Sequence, residues 1–394
     1  MKVALVHEWL TTLGGSERVV LALSRLFPGA PVYVSRFRRG QLPVDFDRMD
    51  IRTTFLDRWP LPHQALLPLM PLAFEQLDLR EFDLVISSSH ACAKGVLTRP
   101  DALHISYCHT PMRYAWDLEA EYQQSLPAAV RPLSAWMLHR MRLWDFAAAQ
   151  RVDRFIANSA TVAGRIAKWY RRPSDILHPP VDVERFAIAP RAEDPCLVVS
   201  RLVPYKRIDA AIAAFNHLGL PLDIIGDGPL YRQLSRQAGP TIRFLGHASD
   251  AEVAQRMATA RAVIFPGIED FGIVPVEAMA AGRPVVALRA GGALETVVEG
   301  KTGWFFDHAN PQALAAAVRD ALDRPWDSEE IRAHALQFDE PAFHRGFGRI
   351  ARDAFQVHQA SWRQLQGAAA QEPLADRETA ADSLLAGIRS RGQG

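Results

Sequence analysis

The chain has 394 residues, 48% hydrophobic and 23% charged, and its 45 Lys and Arg against 44 Asp and Glu leave a formal charge of +1. This composition fills two sizeable cores and excludes a mostly disordered chain. The balanced charge excludes a global field that would draw the protein onto nucleic acid, so any basic patch must be local.

Cys92, Cys108 and Cys196 stand far apart with no CxxC pair, which excludes a disulfide scaffold and a thiolate zinc site and suits a reducing compartment. The apolar run Met1–Val6 is too short for a signal peptide. Ala65–Phe74 is broken by Pro68 and Pro71, far from the about 20 apolar residues that span a bilayer. The expected location is the cytoplasm.

Short apolar runs alternate with segments of helical period, the signal of parallel sheets with crossover helices. The first half predicts strands at Lys2–Glu8, Pro31–Ser35, Asp83–Ser88, Leu103–Cys108 and Arg154–Asn158, with helices near Ser16–Leu26, Ser134–Gln150 and Thr161–Tyr170. The second half predicts strands at Cys196–Ser200, Leu222–Ile225, Thr241–Leu245, Ala262–Phe265 and Pro284–Leu288. Its helices fall near Ile208–Leu218, Leu230–Gln237, Asp250–Ala260, Pro275–Ala281 and Gln312–Leu322.

The reading is therefore an α/β chain of two doubly wound, Rossmann-like domains, 1–180 and 196–345, facing a central cleft. Between them 181–195 is rich in Pro and charge, and His178-Pro179-Pro180 makes a stiff candidate hinge. A helical pattern, Phe343 to Leu365, supplies a closing helix at 346–365, and 366–394 reads as a disordered tail.

Chemistry-bearing residues cluster at predicted strand ends. Gly14-Gly15 precede the first helix, where a ligand can approach the backbone and helix-terminal N–H groups favour an anion; a plain tight turn reads equally well. The GxGxxG spacing of a dinucleotide fold is absent there. Arg201 and Lys206 follow a buried-type strand and can meet a phosphate as fork and point charge.

Gly272 opens a short helix before which Glu269 stands, with Glu277 inside it. Carboxylates beside an anion repel it, so these two suit hydroxyl groups, although Glu277 also suits plain helix stabilisation. Gly291-Gly292 form a third glycine turn. Together these residues describe a cleft for a nucleotide diphosphate that carries a hydroxyl-rich group.

At this point the sequence resembles the retaining glycosyltransferases of family 4, of GT-B fold. Glu269 and Glu277 form its E-x7-E pattern, and Gly14-Gly15, Arg201 with Lys206, Gly226-Asp227-Gly228-Pro229, Phe244-Leu245-Gly246, Gly291-Gly292 with Glu295, and Thr302-Gly303 follow in family order.

The resemblance implies that 1–180 binds the acceptor and 196–345 the donor. Arg201 and Lys206 would neutralise the donor diphosphate, helped by Gly14-Gly15. Glu277 would bind the ribose, and Glu269 with backbone groups of Phe271, Gly272 and Ile273 would hold the hexose. Arg243 to His247, including Phe244, Gly246 and His247, would line the base pocket. His109 would take the place of the family's active-site histidine, near the sixth carbon of the hexose.

It further implies metal-independent, front-face transfer with retention, and no cofactor beyond the nucleotide-sugar substrate. His7-Glu8-Trp9-Leu10, Ser87-Ser88-Ser89-His90-Ala91 and the stretch His109 to Asp117 resemble bacterial mannosyltransferases of O-antigen, lipopolysaccharide and exopolysaccharide assembly. These use GDP-mannose and lipid-diphosphate-linked sugars. A UDP-sugar enzyme of the same family and a non-catalytic nucleotide-sugar-binding subunit are the alternatives.

Arg36-Phe37-Arg38-Arg39, Trp59 to Phe74 and Ala135 to Trp144 mix cations with large apolar groups. Such segments lie in a membrane interface or form partly buried helices with solvated arginines. The first reading gives peripheral contact with the cytoplasmic face of the inner membrane.

Overall fold

The computed structural model describes residues 1–371 apart from Ser125, Arg191, Glu193 and Asp194. Two parallel sheets carry the architecture. The N-terminal sheet uses β1 (Val3–His7), β2 (Val32–Val34), β3 (Ile51–Thr53), β4 (Leu84–Ser89), β5 (Leu103–Cys108), β6 (Arg154–Ala157) and β7 (Ser174–Ile176), ordered 3-2-1-4-5-6-7. The C-terminal sheet uses β8 (Cys196–Val199), β9 (Leu222–Ile225), β10 (Ile242–Gly246), β11 (Val263–Phe265), β12 (Val285–Leu288) and β13 (Gly303–Phe306), ordered 10-9-8-11-12-13. The inner strands are buried on both faces, which is why they read as unbroken apolar runs.

In each sheet the strand order reverses direction at one place, between β1 and β4 and between β8 and β11. Loops leave these neighbours on opposite sides, and the crevice between them is where open α/β sheets take ligands. The two crevices face each other. A Cβ on Gly15 in the first helix (Gly15–Leu26) would stand 2.5 Å from Ile273 Cδ1 at the start of the helix Ile273–Ala280.

Within the linker, the described residues 181–190 pack along the C-terminal domain. Val181, Val183 and Phe186 lie in its core, and Arg332 donates to the Phe186 carbonyl at 2.6 Å. The chain crosses between domains a second time, and the two crossings touch where Val181 N–H donates to the Phe338 carbonyl at 2.8 Å.

The last helix runs over Glu340–Gln371 and thus differs from the expected 346–365 at both ends. The expected disorder of 366–394 fails at 366–371, which are helical; 372–394 lie outside the described residues. Its first turns return to the N-terminal domain. Phe343, Phe347, Ile350 and Ala351 share a core with Leu5, Val20, Ile105 and Tyr107, and His344 Nε2 meets the Ala22 carbonyl at 2.8 Å.

Phe347 is fully buried. Phe347→Ala should cost roughly 3–5 kcal/mol of N-terminal-domain stability, the range for emptying an aromatic site in a core. Urea denaturation checks this; a loss below about 1 kcal/mol, as for a surface substitution, would remove the helix from that core.

Candidate active site

On the N-terminal side the site is built around a buried carboxylate. Glu8, just after β1, accepts backbone N–H bonds from His90 (3.1 Å), Ala91 (2.7 Å), Cys92 (2.9 Å) and Ala93 (3.0 Å), and a hydroxyl bond from Ser89 (2.9 Å). Burial alone would raise its carboxyl. The His90 charge and the N–H groups of Ala93, Cys92 and Ala91 outweigh burial and hold it below the usual range. This fixes the turn after β4 and aims His90 at the cleft wall, edge-on to Trp9 at 4.9 Å.

His109 follows β5, and its Nε2 lies 2.8 Å from Ser88 Oγ. Burial, then the charges of His90 and His7, push its ring well below the ordinary histidine value, so it stays neutral. Gly14 and Gly15 stand opposite. A Cβ on Gly14 would stand 2.9 Å from Glu17 Oε2, and one on Gly15 would strike Ile273 across the cleft. Close approach favours glycine here, although both contacts are with side-chain ends that can shift.

On the C-terminal side Arg201 is exposed beyond β8, and Lys206 ends a single turn, Pro204–Lys206. Lys206 Nζ is ion-paired with Glu269, so the cation and the carboxylate expected on different parts of a donor occupy one spot. Gly272, at φ +84°, turns the chain into the helix Ile273–Ala280, a conformation an L side chain resists. The Phe271 ring is buried against His178 at 5.2 Å and Phe338 at 5.8 Å, so Phe271 offers the cleft its backbone.

Gly291-Gly292 play a different part from the ligand turn read in the sequence. Gly292 N–H donates to the Glu269 carbonyl at 2.9 Å, and the helix that follows, Ala293–Thr296, is a single turn. The pair braces the Glu269 loop.

Glu277 is buried, and desolvation raises its carboxyl despite the opposing charges of Arg185 and Arg18. Arg185 reaches it at 2.5 Å and also holds Asp250 at 2.7 Å, while Arg18 of the first helix holds Asp250 at 2.8 Å. Arg185, Asp250 and Arg18 escaped the sequence reading. Phe244 and His247 lie at and beyond β10, with Tyr231 edge-on to Phe244 at 5.4 Å and the Gly246 carbonyl taken by Gly226 N–H at 2.8 Å. Arg243 instead forks onto buried Asp223 at 2.8 Å, which ties its guanidinium to the sheet.

A layer of charge joins the halves. Arg165 pairs with Asp270, donates to Thr110 Oγ1 at 3.2 Å and meets Asp117 at 3.2 Å, while Arg113 lies over the Tyr205 ring at 5.4 Å. Thr110 and Asp270 share one guanidinium, so their chain neighbours His109 and Glu269 flank the same part of the cleft. Glu295 accepts Ala160 N–H at 2.9 Å and meets His178 Nε2 at 3.0 Å. No short-range signal marks Arg165–Asp270 or the Glu295 contacts, because the partners belong to different domains.

The basic cluster at 36–39 is spent internally. Arg36 is buried and donates to the Leu61 and Trp59 carbonyls, Arg38 pairs with Asp57 at 3.2 Å and Arg39 with Asp47 at 3.8 Å. It is therefore no open basic patch. Among the described residues no helix is long and apolar enough to cross a membrane.

Two facing Rossmann-like domains of this kind are the GT-B fold. Residues 13–185 match the model of Glycosyltransferase Family 4, and residues 183–337 match that of Glycosyl transferases group 1.

Among curated relatives, the GDP-mannose-dependent alpha-(1-6)-phosphatidylinositol monomannoside mannosyltransferase of Mycolicibacterium smegmatis is 34% identical over 218 residues, covering 45% of this chain and 57% of the relative. The GDP-mannose-dependent alpha-mannosyltransferase of Mycobacterium tuberculosis is 29% identical over 277 residues, 60% of this chain and 71% of the relative. A glycogen synthase of the same species is 38% identical over 140 residues, 33% of this chain and 34% of the relative. Across these three, the chain spans 34% to 71% of the relatives' own length.

The Anabaena HepE protein, solved with UDP-glucose, superposes with a TM-score of 0.67 at 20% identity over 90% of this chain and 100% of its own. Sucrose-phosphate synthase from Thermosynechococcus elongatus gives 0.68 at 16% identity over 91% and 100%.

The Glu295 contacts titrate. Burial would raise its carboxyl, but the His178 bond and the Ala160 N–H lower it below the ordinary 4.5. A depressed carboxyl stabilises fully above the unfolded value, and the stabilisation is lost as pH falls through the folded one. The difference in thermal midpoint between wild type and Glu295→Gln should therefore be full at pH 6 and shrink below about pH 4.5. A difference that stays constant down to acid pH would show that the carboxylate charge contributes nothing.

Proposed function

We propose that the protein is a retaining, metal-independent glycosyltransferase that moves mannose from GDP-mannose onto a lipid-linked or polysaccharide sugar acceptor in cell-surface glycan assembly. The observation that supports the reading is the Lys206–Glu269 pair, set across the cleft from His109, whose neighbour Thr110 shares the Arg165 guanidinium with Asp270. Two of the relatives above are GDP-mannose-dependent mannosyltransferases by name, which favours that donor.

In this reading Arg201 and Lys206 take the donor diphosphate, and the N–H groups opening the helix Ile273–Ala280 add their dipole. The bond from the anomeric carbon to phosphate breaks as the acceptor oxygen attacks from the same face. The acceptor proton passes to the leaving phosphate. Fixed cations stabilise the departing charge without reorganising, and losing one such group costs about 10²–10³ in rate. Glu269 and Glu277 hold hexose and ribose hydroxyls, and Phe244 with His247 borders the base.

Release of free nucleotide from a panel of GDP- and UDP-sugars, with a lipid-diphosphate sugar acceptor, tests this. GDP-mannose should turn over in EDTA, Glu269→Ala should abolish turnover, and Lys206→Ala should lower it about 10²–10³-fold. Turnover with a UDP-sugar alone would overturn the donor. Nucleotide binding without turnover of any donor would favour the binding-subunit alternative.

The membrane reading rests on the helix Arg131–Gln150. Leu133 (67% exposed), Trp136 (62%) and Leu143 (54%) lie along one face, with Arg140 between them. Such a face suits the boundary between headgroups and acyl chains of an anionic bilayer. The protein should pellet with vesicles containing anionic lipid, and Leu133→Ser with Trp136→Ser should abolish pelleting. Equal pelleting with and without vesicles would defeat the reading.

A further inference from the structure

The register of three adjacent strands puts unassigned polar groups behind His109. His7 lies opposite Ser88 across β1 and β4, and Ser89 lies opposite Cys108 across β4 and β5. Side chains alternate along β4. Ser87 Oγ meets His104 Nε2 at 2.9 Å and Ser89 Oγ donates to Glu8 at 2.9 Å. Ser88 projects the other way, into the row that contains His7 and His109.

His7 is fully buried. Its Nδ1 lies 2.9 Å from the Ser88 carbonyl oxygen and 3.2 Å from Ser88 Oγ, and its Nε2 lies 3.5 Å from Glu17 Oε1. A carbonyl oxygen can only accept, so the Nδ1 proton points at Ser88. Glu17 is itself held. Ser16 Oγ donates to its Oε2 at 3.0 Å, and the carboxylate sits in the notch that Gly14 leaves by having no Cβ.

These constraints fix the Ser88 hydroxyl. Its proton cannot point back at a ring nitrogen that is already donating. Among the described residues the acceptor that remains is His109 Nε2, at 2.8 Å. A neutral imidazole that accepts at Nε2 must carry its proton on Nδ1.

The geometry points to Ser88 as a positioning residue: anchored by His7 and Glu17, its hydroxyl donates to His109 Nε2 and locks His109 as the Nδ1–H tautomer, leaving one directed N–H donor for a sugar hydroxyl. This rests on the glycosyl-transfer reading only for the identity of the group that takes the proton. A donor oriented before the ligand arrives needs no reorganisation during the reaction. The low proton affinity that burial imposes on His109 keeps the ring neutral, as the arrangement requires.

The test is ¹⁵N NMR of the imidazole nitrogens in the full chain at pH 7.5, with His109 assigned by its loss in His109→Gln. Wild type should show a protonated Nδ1 and a bare Nε2. Ser88→Ala and His7→Gln should lose that preference, and Ser88→Thr, which keeps a hydroxyl, should restore it. Turnover should fall about tenfold in Ser88→Ala, the effect of one lost hydrogen bond. Affinity for GDP or UDP alone, which carry no sugar, should stay within about twofold, since the lost bond touches only the group that faces the sugar.

An Nε2–H tautomer in wild type, or an unchanged spectrum in Ser88→Ala, would overturn the proposal. The expected spectra without turnover of any donor would uphold the tautomer lock and sink the transfer reading instead.

Discussion

The apolar anchorage of the helix Glu340–Gln371 on the N-terminal domain is the constraint on which the cleft depends. The chain leaves the N-terminal sheet after β7, builds the second domain and comes back, burying Phe343, Phe347 and Ile350 against the first. Side chains of this kind stabilise by about 1.5–3 kcal/mol each when fully buried. The charge layer between the domains is of another order. Arg165–Asp270 and Arg113–Asp270 are partly hydrated pairs, and surface pairs contribute about 0–1 kcal/mol each. The domains are thus tied permanently by a helix and held closed by contacts that water can replace. The paired crossings at Val181 and Phe338 are where such a movement would bend.

Within each domain, burial and backbone donors do the positioning. Glu8 commits a carboxylate to the turn that places His90, just beyond the strand register that places Ser88. Removing the charge would leave four N–H groups competing for nothing in a dry site, which costs more than the bonds contribute when made. Lys94 does similar work one layer further out. It is fully buried, donates to the Ala91 carbonyl and pairs with Asp145, whose other oxygen takes Trp116 Nε1 and Tyr170 OH at 2.8 Å each. That network docks the helix Arg131–Gln150 behind the Glu8 turn, so the outward face of the helix is set by a buried charge on its inward face.

Much of this was legible in the sequence, for a physical reason. Central parallel strands are buried on both faces, so β5 and β9 could be read to the residue and β1, β4 and β11 nearly so. The strands that were missed lie at sheet edges. β3 (Ile-Arg-Thr) and β7 (Ser-Asp-Ile) are half solvated and carry no apolar run, and β13 is a short run that opens on Gly303. In the site, Lys206, Glu269, Glu277 and His109 stand at strand and helix ends that local pattern can locate. Arg185, Asp250, Arg165 and Asp270 could not be found that way. Each looks like a solvated charge until the fold brings its partner, 65 to 232 residues away, to the same cleft. Glu8 was hidden for a related reason: its partners are backbone N–H groups, which leave no trace in side-chain pattern.

The pairing of Lys206 with Glu269 links these arguments to chemistry. A lysine and a carboxylate in contact at a cleft neutralise each other. A diphosphate carries more negative charge than one carboxylate, so on entering it attracts the ammonium more strongly. In the proposed reading the lysine would then turn to the phosphate, and Glu269 would lose its partner just where hydroxyl groups can replace it. Glu277 follows the same logic with the cation on its own domain. Arg185 already divides its guanidinium between Glu277 and Asp250, so a ribose that hydrogen-bonds Glu277 still leaves Arg185 paired. In the proposed reading the two carboxylates of the E-x7-E pattern thus differ: Glu269 becomes available only when a diphosphate is bound, whereas Glu277 is held ready at all times. That difference orders binding, with the phosphates engaged before the sugar is gripped.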